Sequence, residues 1–269
     1  MLDHDDDSAV GDELRAATFV KCGIYDAPEW YDVDYAGYRG EEAFYRLVLQ
    51  RHVKAGGVVV ELGVGTGRLA LKFAAEGFRI HGVEPAAAMR ELLQKKSNDI
   101  VVVDGIARDF AKPAGRVDVV MFPFNGLLHI KTREEMMASF RHVRDVLDDD
   151  GRFALDCTGP YWDAILYGPM PWGRADERTH HLTGKRVFTC DRSSYDPSTR
   201  EMRIDIRYLV DGERQGVEIA LLQMMWTWQQ VLGALEESGF AIDLLYGDVD
   251  MAPFDEGSPR LLVSARKRP

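Results

Sequence analysis

The chain has 269 residues, of which 46% are hydrophobic, and its formal net charge at pH 7 is −11. This length is enough for one large α/β domain with an insertion. The acidic balance argues against a nucleic-acid partner, because like charges repel phosphate. No apolar run is long enough to cross a membrane, so we expect no membrane partner either.

The three cysteines, Cys22, Cys157 and Cys190, are far apart in the sequence, and none belongs to a Cys-x-x-Cys pair. This spacing predicts free thiols in a reducing compartment, and therefore a cytoplasmic protein. The doublet at 180–181 has no cysteine or carboxylate nearby at ligand spacing, so we predict no metal site.

The chain begins with an Asp-rich segment, and residues 1–20 are predicted to be a disordered acidic tail. Residues 25–35 then contain four aromatic side chains. Residues 41–54 have apolar side chains at helical spacing, including Phe44, Leu47 and Val48. This pattern predicts an amphipathic helix ahead of the first strand of an α/β core.

Residues 58–68 are the most informative segment. The apolar run at 58–60 is typical of a parallel strand that is covered on both faces, and a loop with glycines at 63, 65 and 67 follows it. The next residues have helical spacing, which predicts a helix from about Arg68. Strand, glycine loop and helix together predict the nucleotide-binding corner of a Rossmann-like sheet.

The spacing within the glycine loop distinguishes between cofactors. A dinucleotide fingerprint, Gly-x-Gly-x-x-Gly, would place its third glycine at Arg68. The chain instead has glycines at alternate positions from Gly63 to Gly67, preceded by Glu61. This departure argues against a cofactor that must be held by its pyrophosphate.

A second strand over residues 80–84 is predicted to end at Glu84, 17 residues after Gly67. An acid at the end of the second strand accepts hydrogen bonds from both hydroxyls of a ribose. Such charge-assisted bonds contribute about 1.5–3 kcal/mol each. We therefore expect Glu84 to bind a nucleoside, and the alternative is a solvated acid or a partner for the start of the next helix.

The pattern continues with alternating helices and strands, which favours a parallel sheet with helices on both faces. The further elements predicted for this sheet are a helix at 86–94, strands at 100–103 and 117–122, a helix at 132–147 and a strand at 152–157.

After the fifth strand the pattern changes. Residues 161–173 are rich in Pro, Gly, Tyr and Trp, and strict apolar alternation then predicts strands at 186–195, 201–210 and 217–225. These form an antiparallel β meander inserted into the α/β fold, where it covers the active site or forms a subunit contact, which leaves a homo-oligomer open. The core resumes with a helix at 227–238 and strands at 241–246 and 260–265. The predicted organisation is tail 1–20, cofactor-binding core with an N-terminal lid 21–159, insertion 160–226 and C-terminal core 227–269.

Several motifs together resemble those of class I S-adenosylmethionine-dependent methyltransferases. The chain is similar to the small-molecule subgroup that includes glycine N-methyltransferases and amino-sugar N,N-dimethyltransferases. The similarity extends from about residue 25 to 267 and is carried by the aromatic N-terminal segment, Glu61-Leu62-Gly63-Val64-Gly65-Thr66-Gly67, Gly82-Val83-Glu84-Pro85, Phe122-Pro123-Phe124-Asn125 and Glu237-Ser238-Gly239-Phe240.

The resemblance implies S-adenosylmethionine as cofactor and S-adenosylhomocysteine as product. It implies that Glu61 and the glycine backbone hold the methionine end, that Glu84 binds the ribose, and that Pro85 and Met89 pack against the ribose or adenine. The full set of implied cofactor-binding residues is Tyr31, Arg39, Glu61, Gly63, Gly65, Gly67, Arg68, Glu84, Pro85, Met89, Ile106, Ala107, Phe122 and Asn125.

The chain departs from the family at the adenine position. The family usually has an acid after the glycine that follows the third strand, and Ile106 stands there in this sequence. Backbone groups of Ile106 and Ala107 are one route to the adenine edge, and the carboxylates of Asp104 or Asp109 are another.

The segment 122–129 follows the fourth strand, at the edge of the sheet where ligands bind in open α/β folds. In the related glycine N-methyltransferases, the residues matching Asn125 and His129 approach the methionine portion of the cofactor. His129 has a side chain that titrates near neutral pH, so it is a candidate general base. The alternatives for His129 are a cofactor contact or a structural hydrogen bond.

By resemblance, residues 25–35 form a lid over the cofactor. Tyr31 and Tyr35 are four residues apart and would share one face of a helix, where their rings suit a sulfonium cation, and we assign both to the catalytic site. Arg39 would pair with the methionine carboxylate. The alternative is a segment whose aromatic side chains only pack. Candidates for the substrate wall are Tyr161, Trp162, Tyr167 and Trp172, and Trp226 and Trp228 are either wall or core.

The predicted reaction is methyl transfer to a nucleophile of a small molecule by in-line displacement, with nitrogen favoured over oxygen. The leaving group is a neutral thioether, so alignment supplies most of the acceleration, about 7–11 kcal/mol. Two alternatives remain: a cofactor-binding protein of the same fold with other chemistry or a regulatory role, and a nicotinamide-dependent oxidoreductase.

Overall fold

The computed structural model describes residues 9–35, 37–160, 162–180 and 183–268. The helices in these ranges are α1 (Ala9–Ala16), α2 (Pro28–Tyr35), α3 (Glu42–His52), α4 (Ala70–Ala75), α5 (Ala87–Lys96), α6 (Arg133–Val146), α7 (Trp162–Tyr167) and α8 (Trp228–Glu237). The strands are β1 (Thr18–Gly23), β2 (Val58–Leu62), β3 (Arg79–Val83), β4 (Val101–Val103), β5 (Val117–Phe122), β6 (Arg152–Thr158), β7 (Asp176–Thr179), β8 (Arg186–Asp196), β9 (Glu201–Val210), β10 (Gln215–Met224), β11 (Phe240–Tyr246) and β12 (Arg260–Lys267).

The chain divides into two compact units. We call Arg39–Pro160 with Trp226–Pro269 the α/β unit, and Met1–Tyr38 with Tyr161–Met225 the meander unit. The division places residues 25–38 with the meander, whereas the sequence analysis grouped them with the core as a lid.

The α/β unit contains a seven-stranded sheet of order β11-β12-β6-β5-β2-β3-β4 in its described residues. Strands β4, β3, β2, β5 and β6 are parallel, and β12 is antiparallel to both β6 and β11. The central strand β2 is apolar over Val58–Leu62 apart from Glu61, and all five of its residues are buried. The predicted α/β fold with a Rossmann-like sheet is confirmed.

Helices of the α/β unit cover the sheet with apolar faces. The α3 side chains Phe44, Tyr45, Val48 and Leu49 are fully buried, at 0% exposure. Helix α6 begins where the hydroxyl of Thr132 accepts the Glu135 N–H at 3.1 Å, as an N-cap does. Helix α4 begins at Ala70, two residues later than expected, because the glycine loop extends through Arg68.

The meander unit contains a five-stranded sheet of order β1-β10-β9-β8-β7 in its described residues. Strands β8, β9 and β10 form the predicted antiparallel meander. Strand β1 adds to one edge in parallel with β10, and β7 adds to the other edge, antiparallel to β8. These two edge strands were not predicted.

Residues 9–23 differ from the predicted tail, because they form α1 and β1. Leu14 of α1 is 4% exposed and packs in an apolar cluster with Phe188 and Leu209 of the meander, and the backbone of β1 is hydrogen-bonded to β10. Partners far away in the sequence therefore order this segment. The first eight residues of the predicted tail lie outside the described part of the chain.

No helix in the described ranges is both long enough and apolar enough to cross a membrane. Within the same ranges, no group of three or more His, Cys, Asp or Glu side chains is arranged to hold a metal ion.

Thr227 caps helix α8 through a capping box, and it generates a prediction about stability. Its hydroxyl accepts the Gln230 N–H at 3.3 Å, and the Gln230 side chain accepts the Thr227 N–H at 2.9 Å. We expect Thr227→Ala to lower the free energy of unfolding by about 1 kcal/mol, and Thr227→Ser to keep most of it. Urea titrations would measure both, and equal losses in the two variants would contradict a capping role.

Candidate functional site

The glycine loop after β2 lies at the carboxyl edge of the parallel strands. Its glycines have positive φ angles of 65° at Gly63, 56° at Gly65 and 89° at Gly67, which L side chains rarely adopt. A Cβ on Gly67 would lie 2.4 Å from Cδ1 of Leu93 in α5, so this glycine permits close packing of a helix. A Cβ on Gly63 would meet no described atom within 4 Å. The loop therefore has open space beside Gly63.

The N–H groups of this loop are largely committed to protein acceptors. Gly63 and Val64 donate to the Val83 carbonyl at 2.8 and 3.2 Å, and Gly67 donates to Val64 at 3.0 Å. Gly65 donates to Oε2 of Glu84 at 3.0 Å. A phosphate cradle needs free N–H groups that point at the ligand. This loop commits those four instead, which agrees with the departure from the dinucleotide fingerprint.

Glu84 follows β3 directly and is 5% exposed. Its carboxylate accepts the N–H groups of Gly65 at 3.0 Å and Ala86 at 2.9 Å, one on each oxygen. Burial raises the pKa of Glu84, and these two hydrogen bonds and the charge of Arg90 oppose the rise. Each carboxylate oxygen has a second lone pair, so the fixed side chain can still accept hydrogen bonds from a ligand.

Glu61 lies near the end of β2 and is 2% exposed. Its Oε2 atom is buried and has no hydrogen-bond partner among the described residues. Burial raises the pKa of Glu61 to about 8; the nearby charge of Arg68 opposes the rise, and the carboxylates of Glu41 and Glu84 add to it. A buried acid with an unsatisfied oxygen is suited to bind a cation or a donor.

The segment after β4 holds itself in a small loop. Ile106 donates to the Asp109 carbonyl at 3.1 Å, and Asp109 donates to the Ile106 carbonyl at 2.9 Å. The N–H of Ile106 is therefore occupied, and its carbonyl already accepts one hydrogen bond. Asp104 accepts a hydrogen bond from Arg90 at 3.1 Å.

The loop after β5 has two consecutive residues with positive φ that are not glycine, Phe124 at 52° and Asn125 at 63°. The Phe124 N–H donates to Oδ1 of Asp156 at 2.8 Å, and Oδ1 of Asn125 accepts the Thr158 N–H at 2.7 Å. The Asn125 side chain thus has a structural role in addition to the predicted cofactor contact. Phe122, at the end of β5, is 6% exposed.

His129 ends a 3₁₀ turn, Gly126–His129, that continues from this loop. The residue is exposed, but the protein atoms near its ring desolvate it and lower the pKa of His129 to about 4. The imidazole is therefore neutral at neutral pH, and the same shift makes it a weak base.

Two buried carboxylates that the sequence analysis did not single out support these loops. Asp156 of β6 accepts the Tyr45 hydroxyl at 2.8 Å and Arg260 at 2.7 Å, besides the Phe124 N–H. Glu41, just before α3, forms an ion pair with Arg68 in which both side chains are almost completely buried. An acid between Leu155 and Cys157 in an apolar strand was the available signal for Asp156.

The remaining candidates have the following surroundings. Arg39 pairs with Glu42 at 3.2 Å, Met89 is buried at 1% exposure, and Pro85 is exposed. Trp226 donates to the Ile130 carbonyl at 3.0 Å and is 1% exposed, so it belongs to the core of the α/β unit. Trp228 is 7% exposed and lies edge-on to Phe254.

The aromatic candidates of the meander unit are dispersed. Tyr31 and Tyr35 share one face of α2, with ring centroids 4.9 Å apart. Trp172 lies beneath the guanidinium groups of Arg192 and Arg207, at 4.6 and 4.0 Å. Tyr167 is 78% exposed. Tyr161 lies outside the described residues. The roles predicted for these aromatic residues in binding remain predictions.

The fold and the site define a class. The α/β fold, with its parallel strands flanked by helices, matches class I methyltransferase structures. Residues 59–151 match the family model described as a methyltransferase domain.

Individual proteins agree with this class. An uncharacterized methyltransferase of Geobacillus sp. is 33% identical over 116 residues, which are 40% of this chain and 54% of that protein. A dTDP-3-amino-3,6-dideoxy-alpha-D-glucopyranose N,N-dimethyltransferase of Streptomyces fradiae is 24% identical over 81% of this chain and 85% of its own length. The chain spans about half the length of the first curated relatives that it matches.

Solved structures show the same fold. The CcbJ methyltransferase of Streptomyces caelestis has a TM-score of 0.73 at 23% identity, over 92% of this chain and 97% of that one. An S-adenosylmethionine-bound amino pentose methyltransferase of Micromonospora echinaspora has a TM-score of 0.66 at 21% identity, over 92% of this chain and 98% of its own. The resemblance to small-molecule methyltransferases is confirmed, and these findings support S-adenosylmethionine as the cofactor.

The residues of this chain fit that cofactor. The open space beside Gly63 admits a ligand, the unsatisfied Oε2 of Glu61 accepts a donor, and Glu84 keeps lone pairs for ribose hydroxyls.

The raised pKa of Glu61 generates a prediction about pH and stability. Between its ordinary value of 4.5 and about 8, the folded ligand-free protein holds a proton that the unfolded chain has lost. Stability therefore falls as pH rises through this window, by up to about 1.4 kcal/mol per pH unit from this group. Glu61→Gln removes the dependence, so its advantage over the wild type should grow from about pH 5 to about pH 8. Urea titrations across this range would test it, and parallel stability curves would contradict it.

Proposed function

We propose that the protein is an S-adenosylmethionine-dependent methyltransferase that methylates a nucleophile of a small molecule, with nitrogen favoured over oxygen. The observation that carries the proposal is the pair of buried acids, Glu61 and Glu84, on either side of an open glycine loop at the carboxyl edge of the sheet. The glycine loop also supports the proposal. Four of its N–H groups already donate to protein acceptors, which argues against a pyrophosphate ligand.

The proposed roles follow from the chemistry of each group. Glu61 pairs with the amino group at the methionine end, Glu84 accepts the ribose hydroxyls, and the exposed side chain of Ile106 packs on the adenine. When bound, S-adenosylmethionine supplies an electrophilic methyl group and a neutral leaving group. The protein then needs to align the acceptor and exclude water more than to supply acid or base.

The preference for nitrogen does not depend on His129. Desolvation lowers the pKa of His129 to about 4, so its imidazole is a weak base. An amine that binds without its proton needs no strong base, whereas a hydroxyl acceptor would make more use of one. Names of similar proteins, an amino-sugar N,N-dimethyltransferase and an amino pentose methyltransferase, suggest amines on sugars as the first acceptors to test.

The experiment has two stages. Calorimetric titration with S-adenosylmethionine and S-adenosylhomocysteine establishes binding, and mass spectrometry then follows S-adenosylhomocysteine and methylated product with a panel of amines, including nucleotide-linked amino sugars, and matched alcohols. Methylated amine supports the proposal. Tight binding without turnover on any acceptor would favour a cofactor-binding protein with other chemistry, and binding of reduced nicotinamide instead would favour an oxidoreductase.

Glu84 generates a specific prediction. We expect Glu84→Ala to weaken S-adenosylmethionine binding at least about tenfold, because the ribose loses a charged acceptor and the Gly65 and Ala86 N–H groups lose theirs. Glu91→Ala, on the exposed face of α5, is the matched control and should bind as the wild type does. Circular dichroism would establish that both variants are folded. Unchanged affinity in folded Glu84→Ala would rule out the proposed ribose contact.

A further inference from the structure

Three ionisable side chains are buried together beside the glycine loop. Arg68 and Glu41 form an ion pair whose side chains are 6% and 0% exposed, and Glu61 is 2% exposed. The charge of Arg68 also acts on Glu61, and its guanidinium donates a hydrogen bond to Glu41. The group therefore has two acids and one base in a place that water hardly reaches.

Arg68 is held on the side of Glu41 by a second contact. Its guanidinium lies 4.5 Å from the centroid of the Phe124 ring, in a cation–π arrangement. Phe124 is itself fixed, because its N–H donates to the buried carboxylate of Asp156 at 2.8 Å. Three segments thus meet at Arg68: the start of α3, the end of the glycine loop and the loop after β5.

The charges of this group do not balance. Oε2 of Glu61 and Oε2 of Glu41 are both buried and have no hydrogen-bond partner among the described residues. A buried carboxylate without a counter-charge is strongly disfavoured, so it either takes up a proton or pairs with a cation from outside. In the ligand-free protein the proton is the available partner, in agreement with the raised pKa of Glu61.

We propose that Glu41 is a positioning residue for cofactor binding: by holding Arg68, it leaves the carboxylate of Glu61 to take its counter-cation from the cofactor's amino group. This inference rests on the proposed function. Without Glu41, Arg68 would neutralise Glu61 from within the protein and compete with the cofactor for it.

The inference includes a proton balance. In the ligand-free protein Glu61 carries a proton, and when it pairs with the ammonium group it becomes a carboxylate and gives that proton to the solvent. Because Glu61 is largely protonated at neutral pH before binding, close to one proton should be released per cofactor bound. The charged and titratable groups that act on Glu61 or on its partners here are Glu41, Arg68, Glu84, Tyr45 and Asp156.

The first measurement counts protons. Calorimetric titrations with S-adenosylmethionine in buffers of different ionisation enthalpy give the number released for the wild type, Glu41→Gln, Glu41→Asp and Glu42→Gln. We expect nearly one for the wild type, less than about 0.3 for Glu41→Gln, because Arg68 then keeps Glu61 ionised, and a largely restored count for Glu41→Asp. Titration of the cofactor itself is common to all four proteins and cancels in the comparison.

Glu42→Gln is the matched control. Glu42 is the next residue along the chain, but it pairs with Arg46 and Lys72, at 2.6 and 2.7 Å, and those pairs lower its pKa to about 2. It is already ionised at neutral pH, so its replacement should leave proton release unchanged. A structural disturbance of α3 alone would lower the count in both variants and would overturn the inference.

A second measurement needs no cofactor. Infrared spectroscopy of the ligand-free protein detects the carbonyl stretch of a protonated carboxylic acid, and Glu61→Gln identifies the band. We expect this band to persist to a pH above neutral in the wild type and in Glu42→Gln, and to disappear at a clearly lower pH in Glu41→Gln. An unchanged titration in Glu41→Gln would overturn the inference.

The two measurements separate the inference from the proposed function. If the wild type binds neither S-adenosylmethionine nor S-adenosylhomocysteine, the proposed function fails, and with it the role of Glu41 in cofactor binding, whatever the infrared titration shows. If the wild type binds the cofactor but releases no proton, or if Glu41→Gln releases as many as the wild type, the inference fails while the proposed function stands.

Discussion

The hydrogen bonds of the Asp156 carboxylate organise the carboxyl edge of the α/β unit. This side chain is fully buried, and a buried carboxylate is stable only when its oxygens are paired. Its partners come from three places, the Tyr45 hydroxyl of α3, the Phe124 N–H after β5 and the guanidinium of Arg260 at the start of β12. Each partner fixes the position of an element that borders the candidate site.

This arrangement explains how an unfavourable backbone conformation persists. Phe124 and Asn125 both have positive φ, at a cost of about 1–3 kcal/mol each. The bonds to Asp156 and to the Thr158 N–H stabilise the loop in that conformation. A loop held this firmly before any ligand binds suits a reaction whose rate depends on alignment, because little order remains to be gained when the reactants meet.

The sequence predicted the α/β unit well because its signals are local. The largely apolar run at Val58–Leu62 predicts β2, and Thr132 predicts the start of α6. Each of these signals lies within a few residues of the element that it predicts. Strand β1 has no such signal, since its pairing partner β10 is almost 200 residues away, with Thr18 opposite Gln215. Strand β7 is exposed at all four positions, so it has no apolar alternation that a sequence could show.

The candidate site divides in the same way. Glycine spacing and strand ends are visible in a sequence, and they pointed to Glu61 and Glu84. Burial of a charged side chain is not visible in a sequence, as the neighbours Glu41 and Glu42 show. Glu41 forms a buried ion pair with Arg68, whereas Glu42 pairs with several cations. Arg68 is informative both in the sequence and in the structure. In the sequence it stands where the dinucleotide fingerprint requires its third glycine. In the structure its guanidinium pairs with Glu41 and lies over the ring of Phe124. The residue that departs from the phosphate-binding fingerprint, Arg68, is therefore also the residue that supplies the counter-charge of the buried acid Glu41.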